Sequence, residues 1–426
     1  MRFAPVILAL LLALSPVAVA TQATGPTDVP ENSSVGSFEN TGTTQPADKN
    51  TTAVLTLGTA EKRTSFETAS ISLGNTLATD RTNVENELSI RELDRQLQTA
   101  GSNTEKKQIL NRYRFRIENR VISLQAEEQR VTQAFTNGSI SASEYVRELG
   151  RIDAEAGEIL RTTEELKRQS ESVPGFTMPN IKGTIRGKLL LVLGPVRHEV
   201  GASLRGVGDA TRVYIAASES GIVLTTIDGG QYVREVVRRD QRKPGASKQL
   251  RLDEARALVF EQYTWAKNHQ TRGTSTSPYG TTNAYSATIG HPHGQLTAYL
   301  DSGTEAVFKE VQYKSLMGNQ PLPPGPGVTN TSDNVTLVVN RTYPGGPLRL
   351  ELRNETGSPV DGAVTVAGHR TLVTGQDGVA WTLGPIGKFR VSGTHDGTTV
   401  NVTARPTKPK AVSPNNSTKS ASATPA

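Results

Sequence analysis

The 426-residue chain contains no cysteine. Disulfides, thiol nucleophiles, cysteine-based metal sites and a dithiol redox role are therefore excluded, and packing alone must hold the fold. Long apolar runs are missing as well. Beyond the N-terminus nothing approaches the roughly 18 consecutive apolar residues of a membrane helix. Catalytic signatures are equally scarce. There is no Gly-x-Ser-x-Gly elbow and no His-Glu-x-x-His helix, and Gly201, Gly206 and Gly208 are not followed by the Gly-Lys-Ser/Thr of a phosphate loop. Charge of one sign is concentrated at one place only, between Arg234 and Arg251. A formal net charge of +6, mostly interspersed, is a weak basis for nucleic-acid binding.

What is present starts with an export signal. Arg2 supplies the positive end, Val6 to Leu14 the apolar stretch between Pro5 and Pro16, and Ala18-Val19-Ala20 a small-residue cleavage site. Residues 1–20 are thus expected to be removed. The mature protein is expected outside the cell, secreted or on the envelope face, with no transmembrane anchor. Residues 21–50, rich in Ser and Thr, read as a disordered lead-in.

The length calls for two or three domains. The first, residues 51–205, is organised around a helical hairpin. Leu110, Tyr113, Ile117, Val121, Leu124, Val131 and Phe135 share one helical stripe, and Tyr145, Leu149, Ile152, Ala156, Ile159, Thr163 and Leu166 share another. Asn137-Gly138 stops the first helix, and Ser141 with Glu144 forms a capping box for the second. Val84 to Leu97 adds a third helix. Lys188 to Leu204 reads as helix, break at Gly194-Pro195, helix.

Residues 206–319 read as an α+β module. Gly221 to Ile227 and Gln231 to Val237 form a hairpin through Asp228-Gly229-Gly230. A helix over Leu252 to Lys267, a loop (272–282) and three further strands follow. The Pro/Gly run 320–328 is a semi-rigid linker. Residues 329–404 then give seven short strands, a Greek-key β-sandwich, and 405–426 a disordered tail. The fold class expected is multidomain α+β: helical hairpin or bundle, small α+β module, seven-stranded sandwich.

Three resemblances follow from these residues. Asp228-Gly229-Gly230-Gln231-Tyr232-Val233-Arg234-Glu235, Leu252-Asp253-Glu254-Ala255 and Ala298 to Val307 resemble PepSY-type modules, which implies an extracytoplasmic binding or inhibitory domain. Gly357 to Ala363, Gly375 to Gly378 and Gly384 to Val391 resemble the carboxypeptidase-regulatory-like, transthyretin-like sandwich, which implies a non-catalytic spacer or adhesion module. The order of parts, with Asn-Gly-Ser-Ile-Ser at the hairpin turn, resembles a family of haloarchaeal envelope proteins.

Candidate sites are few. His291-Pro292-His293 could present two imidazoles to a metal, but no carboxylate lies close by, and a polar loop is the simpler reading. Arg234, Arg238, Arg239, Arg242, Lys243, Lys248 and Arg251 form the one basic concentration, suited to an anionic envelope polymer or an acidic protein, although a solvated loop partly neutralised by Glu235, Asp240 and Asp253 is the simpler reading. Glycosylation sequons fall at Asn32, Asn50, Asn137, Asn330, Asn334, Asn340, Asn354, Asn401, Asn415 and Asn416. No catalytic residue, metal site or cofactor is assigned. The expected function is a non-enzymatic binding or scaffold protein of the envelope. The alternative is a regulator or inhibitor of an extracellular enzyme, such as a protease, acting through the PepSY-like module. If the sequons are used, secreted material has an intact mass above that of the bare residue 21–426 polypeptide; a bare mass would remove glycosylation.

Overall fold

The computed structural model describes residues 51–366 and 371–412. The expected signal and lead-in, the sequons at Asn32, Asn50, Asn415 and Asn416, and most of the tail lie outside them. An extended strap, residues 51–57, leads into strand β1 (Arg63–Ala69) and five helices: α1 (Leu73–Thr99), α2 (Asn103–Thr136), α3 (Ala142–Glu171), α4 (Ile181–Leu189) and α5 (Pro195–Arg205).

The hairpin forms where periodicity placed it. Its apolar stripes meet in one core, with Leu110, Ile117, Val121 and Leu124 of α2 packed with Ile152, Ala156, Ile159 and Leu166 of α3. Gly138, at φ 83°, takes the left-handed turn that a Cβ would disfavour. Ser141 Oγ then accepts from the Glu144 amide at 3.1 Å, closing the start of α3.

Next come β2 (Thr211–Ala217), β3 (Gly221–Asp228), β4 (Gln231–Arg238), α6 (Leu252–Gln262), α7 (Thr264–Asn268), β5 (Ser275–Pro278), β6 (Ala284–His291), β7 (Gly294–Asp301) and β8 (Ala306–Ser315). They form one antiparallel sheet in the order β1-β2-β3-β4-β8-β7-β6-β5. Three of these strands were not expected. β1 and β5 are polar edge strands without an apolar alternation, and β2 follows directly on a glycine-rich turn.

Both faces of the sheet are covered. Val213, Ile215, Ile222, Leu224, Val233 and Val237 pack under α2, α3 and α5. Tyr214, Val223, Tyr232 and Val236 face the opposite way, toward α6, α7, the strap and the C-terminal region. Strand β1, before the expected division at residues 205/206, pairs with β2 beyond it. The described residues fall within one compact unit.

Among the described residues the C-terminal region is a β-sandwich of eight strands, one more than the seven expected. Strands β9 (Gly327–Ser332), β10 (Val335–Asn340), β11 (Pro347–Asn354) and β14 (Val379–Leu383) form one sheet. Strands β12 (Ala363–Val366), β13 (Thr371–Val373), β15 (Phe389–His395) and β16 (Thr398–Ala404) form the other. The extra strand, β9, is another polar edge. The linker does not leave the sandwich free to swing. Leu322 is buried in the core beneath the sheet, together with Leu383 of β14. Thr225 Oγ1 of β3 donates to the Gly345 carbonyl at 2.6 Å.

The helical layer is fastened to the sheet by buried charge. Arg197 of α5 lies 3.2 Å from Glu235 of β4 and 3.4 Å from Glu128 of α2. Lys309 of β8 sits 3.7 Å from Glu235, and Arg239 pairs with Glu128. A bulge aims Lys309 at this cluster: Tyr299 pairs with Lys309 but Leu300 with Val307, so Phe308 has no partner in the ladder. Removing the charge at its centre leaves buried cations uncompensated. Glu235→Gln should cost about 3–5 kcal/mol in denaturant unfolding, whereas Arg81→Ala, which breaks an exposed pair on α1, leaves the midpoint in place. A Glu235→Gln loss below about 1 kcal/mol would remove the cluster's central role.

Candidate functional site

Between the helical layer and the sheet lies a cleft of about 730 Å³, within the range of small-ligand sites. One side is built from Thr79 and Asn83 of α1, Asp153 and Glu158 of α3, Arg186 of α4, and His198 and Arg205 of α5. The sheet side presents Thr226, Asp228, Val233, Tyr299, Lys309, Val311 and Tyr313, joined by Tyr279 from the β5–β6 turn.

Local structure explains how these groups converge. Gly194 and Pro195 break the helix between α4 and α5. The absence of a side chain at 194 lets the Glu235 carboxylate sit directly beneath the break. Arg197 donates to the Leu191 carbonyl at 2.7 Å. Lys309 donates to the carbonyls of Leu190, at 2.9 Å, and Leu193. The turn's free acceptors are thus satisfied by cations from below. Burial brings the Lys309 ammonium down to about 8, with Glu235 opposing. Lys309 gives its hydrogen bonds to the turn and sets its charge against the carboxylate, so it acts as a strut beneath the cleft.

Nearer the mouth, His198 Nδ1 lies 3.3 Å from Asp153 Oδ2. That hydrogen bond raises the His198 pKa above its ordinary value against the effect of burial. Tyr279 and Tyr299 stand with ring centroids 6.1 Å apart, and burial raises the Tyr299 phenol. The cleft therefore offers half-buried rings bordered by carboxylates, two arginines, a histidine and an asparagine. Acidic and basic groups are near balance.

The basic residues expected between Arg234 and Arg251 do not share one face: Lys243, Lys248 and Arg251 are exposed and Arg234 is buried. Arg234 points to the other face of β4, where it is buried, donating to Glu310 at 2.6 Å and to the Leu55 carbonyl at 2.7 Å. Arg238 pairs with Asp240 at 2.5 Å, Arg239 with Glu128, and Arg242 with Asp301. Lys248 pairs with Glu305, and Arg251 with Asp253 at 3.2 Å. Lys243 is exposed. Strand alternation and the turn after β4 send neighbouring cations in different directions, six of the seven toward carboxylates.

His291 and His293 do come together, around Trp265, with centroids 5.4 Å and 5.8 Å from its ring. His269 stacks on the same indole at 4.4 Å. Among the described residues no group of three or more histidines or carboxylates is arranged to hold a metal. His291 is 3% exposed, and neither of its ring nitrogens has a hydrogen-bond partner. Burial, with Lys314 nearby, lowers it to about 4.

The described sequons differ in access. Asn137 and Asn334 are exposed at turns. Asn330 Nδ2 donates to the Asn401 carbonyl at 2.8 Å, and Asn340 Nδ2 to the Gly325 carbonyl at 3.0 Å. Asn401 Oδ1 accepts from Ser392 at 2.5 Å, and Asn354 Oδ1 accepts from Thr356 and Ser358.

Comparison with known families fits this architecture. Residues 327–402 match an archaeal fibronectin-III type-like domain. Residues 1–209 match a domain of unknown function, DUF7096, and residues 213–319 a family of unknown function, DUF7094. No curated protein matches the chain. The chain is thus of archaeal origin and carries a β-sandwich at its C-terminal end. Among the described residues no helix is long and apolar enough to cross a membrane.

His291 makes a pH prediction. Its folded pKa lies below the ordinary 6.5, so the unfolded chain takes up the proton first. The stability it contributes is whole above about pH 6.5 and is lost as pH falls toward about 4. Thermal unfolding followed across that window should show a steeper fall for the native chain than for His291→Phe. Parallel curves would mean that His291 stays accessible to protons in the folded state.

Proposed function

We propose that this is a non-catalytic, envelope-associated binding protein whose ligand is a polar, ring-bearing molecule, an envelope glycan, held in the cleft. The observation that carries the reading is the convergence of rings and polar groups from several elements on one cavity of about 730 Å³. Sugar rings present an apolar face and a polar rim. Tyr279 and Tyr299 suit the first, and Asn83, Asp153, Glu158, Arg186 and His198 the second. The near balance of charge favours a ligand of little net charge over the anionic polymer that the basic run suggested.

Binding is favoured over catalysis by the state of the ionisable groups. Lys309 is spent on the Leu190 and Leu193 carbonyls and Glu235, and the Tyr299 phenol is held protonated by burial. A place outside the cell rests on the signal-like residues 1–20. The resemblances to haloarchaeal envelope proteins, to PepSY-type modules and to carboxypeptidase-regulatory-like sandwiches support the same setting.

The test is equilibrium binding of oligosaccharides released from archaeal cell-surface glycoproteins to the purified chain. Tyr299→Ala should weaken binding about ten-fold, roughly 1.4 kcal/mol, measured well below the variant's own melting temperature. Binding unaffected by Tyr299→Ala and by Arg186→Ala would place the ligand elsewhere. Cleavage of the oligosaccharide on incubation would overturn the non-catalytic reading.

A further inference from the structure

Helix α1 is built the wrong way round for a helix of a monomer. Over Leu73–Glu92 its one buried side chain is Asn86, and the apolar anchors Leu93 and Leu97 come only in the last two turns. Of the five large aliphatic side chains before them, Ile90 is half-buried and the other four stand in solvent. Leu73 is 73% exposed, Leu77 60%, Val84 56% and Leu88 59%. At 3.6 residues per turn these four positions fall within an arc of about 60°, so they form one stripe on the outer face. Helices draw most of their stability from burying such a stripe, and a contiguous exposed apolar strip marks an interaction surface.

We propose that this stripe is covered by the same stripe of a second copy of the chain, giving a two-fold symmetric dimer with antiparallel α1 helices. The spacing points to the occupant. The steps Leu73 to Leu77, Leu77 to Val84 and Val84 to Leu88 read the same from either end. A two-fold axis between Asp80 and Arg81 therefore sets Leu73 against Leu88 and Leu77 against Val84, each contact made twice.

The charges at the stripe's border agree with a self-partner. Arg81 is paired with Glu85 at 2.8 Å and Arg91 with Glu87 at 4.0 Å, both on α1 itself. The border is thus neutralised, unlike the basic border of a helix that lies on anionic lipid. At the axis the two copies of Asp80 come to the same side, so apolar contact must carry the association. Such a seam would bury roughly 400 Å² per copy, about half the ~800 Å² of a standard interface, so a weak association is expected and a micromolar Kd is taken for the test.

Sedimentation of the full chain without its first twenty residues tests this. The expected result is a monomer–dimer equilibrium reaching mostly dimer by about 100 µM, where a micromolar complex is nearly saturated. Leu77→Glu with Val84→Glu should return it to monomer at every concentration with the melting temperature of the dilute native chain. Because the chain has no cysteine, single replacements report the pairing cleanly. An oxidised mixture of Leu77→Cys and Val84→Cys chains should give the mixed covalent dimer in several-fold excess over either variant alone. A native chain that stays monomeric at about 100 µM overturns the proposal, as does a dimer that survives the double glutamate variant. Leu77→Cys cross-linking to itself as well as to Val84→Cys overturns the antiparallel arrangement.

Discussion

The fold depends on a charged cluster shut between two layers. Glu128, Arg197, Glu235 and Lys309 come from α2, α5, β4 and β8, and all four are essentially excluded from solvent. Taking such groups out of water is costly, and only mutual pairing and the carbonyls of the Leu190–Leu193 turn offset it. The cluster therefore tolerates one relative placement of helices and sheet. Apolar contact alone would let the layers slide over each other by a residue or two; unpaired charge would not. That fixed placement holds open the cleft beside it, since Lys309 of the cluster and Gly194, which lies against Glu235, also line the cavity.

The opposite face of the sheet repeats the device with different partners. Arg234 and Glu310 grip the strap through the Leu55 amide and carbonyl, and Tyr263 of the α6–α7 junction donates to Glu310 at 2.7 Å. Adjacent residues of one strand, Arg234 and Glu235, thus serve opposite faces, one tying down the chain's beginning and the other the helical layer. The C-terminal sandwich closes over the same side through Leu383 and Gly345, which makes it part of the body of the protein.

Much of this was legible in the residues. The α2–α3 hairpin, its Gly138 turn and its Ser141 cap follow from periodicity and capping chemistry, because each is decided within a few neighbouring residues. The edge strands β1, β5 and β9 were not legible, since a strand paired on one side and wet on the other needs no apolar alternation. The partners of the basic run were legible only in part: Asp240 and Asp253 stand beside Arg238 and Arg251 in the chain, whereas Glu310, Asp301 and Glu128 lie 59 or more positions from the arginines they meet. The cleft has no local signature at all, being assembled from residues between Thr79 and Tyr313. One signal was available. Arg234-Glu235 and Lys309-Glu310 interrupt otherwise apolar strands, and charge in the middle of a buried strand announces a partner across the core.

The strap has a mechanical side. Val54 runs parallel to Ala411, its amide donating to the Lys410 carbonyl at 2.9 Å and its carbonyl accepting from Val412 at 3.0 Å. Tension between the two ends of the described chain would meet these strands lengthwise, in shear, and load both backbone hydrogen bonds together. Behind them stand the Arg234 and Glu310 ties to Leu55. Stretched between a surface and whatever it holds, the molecule would resist as a clasped loop, with its helical layer, sheet and sandwich shielded from the force until the clasp gave way.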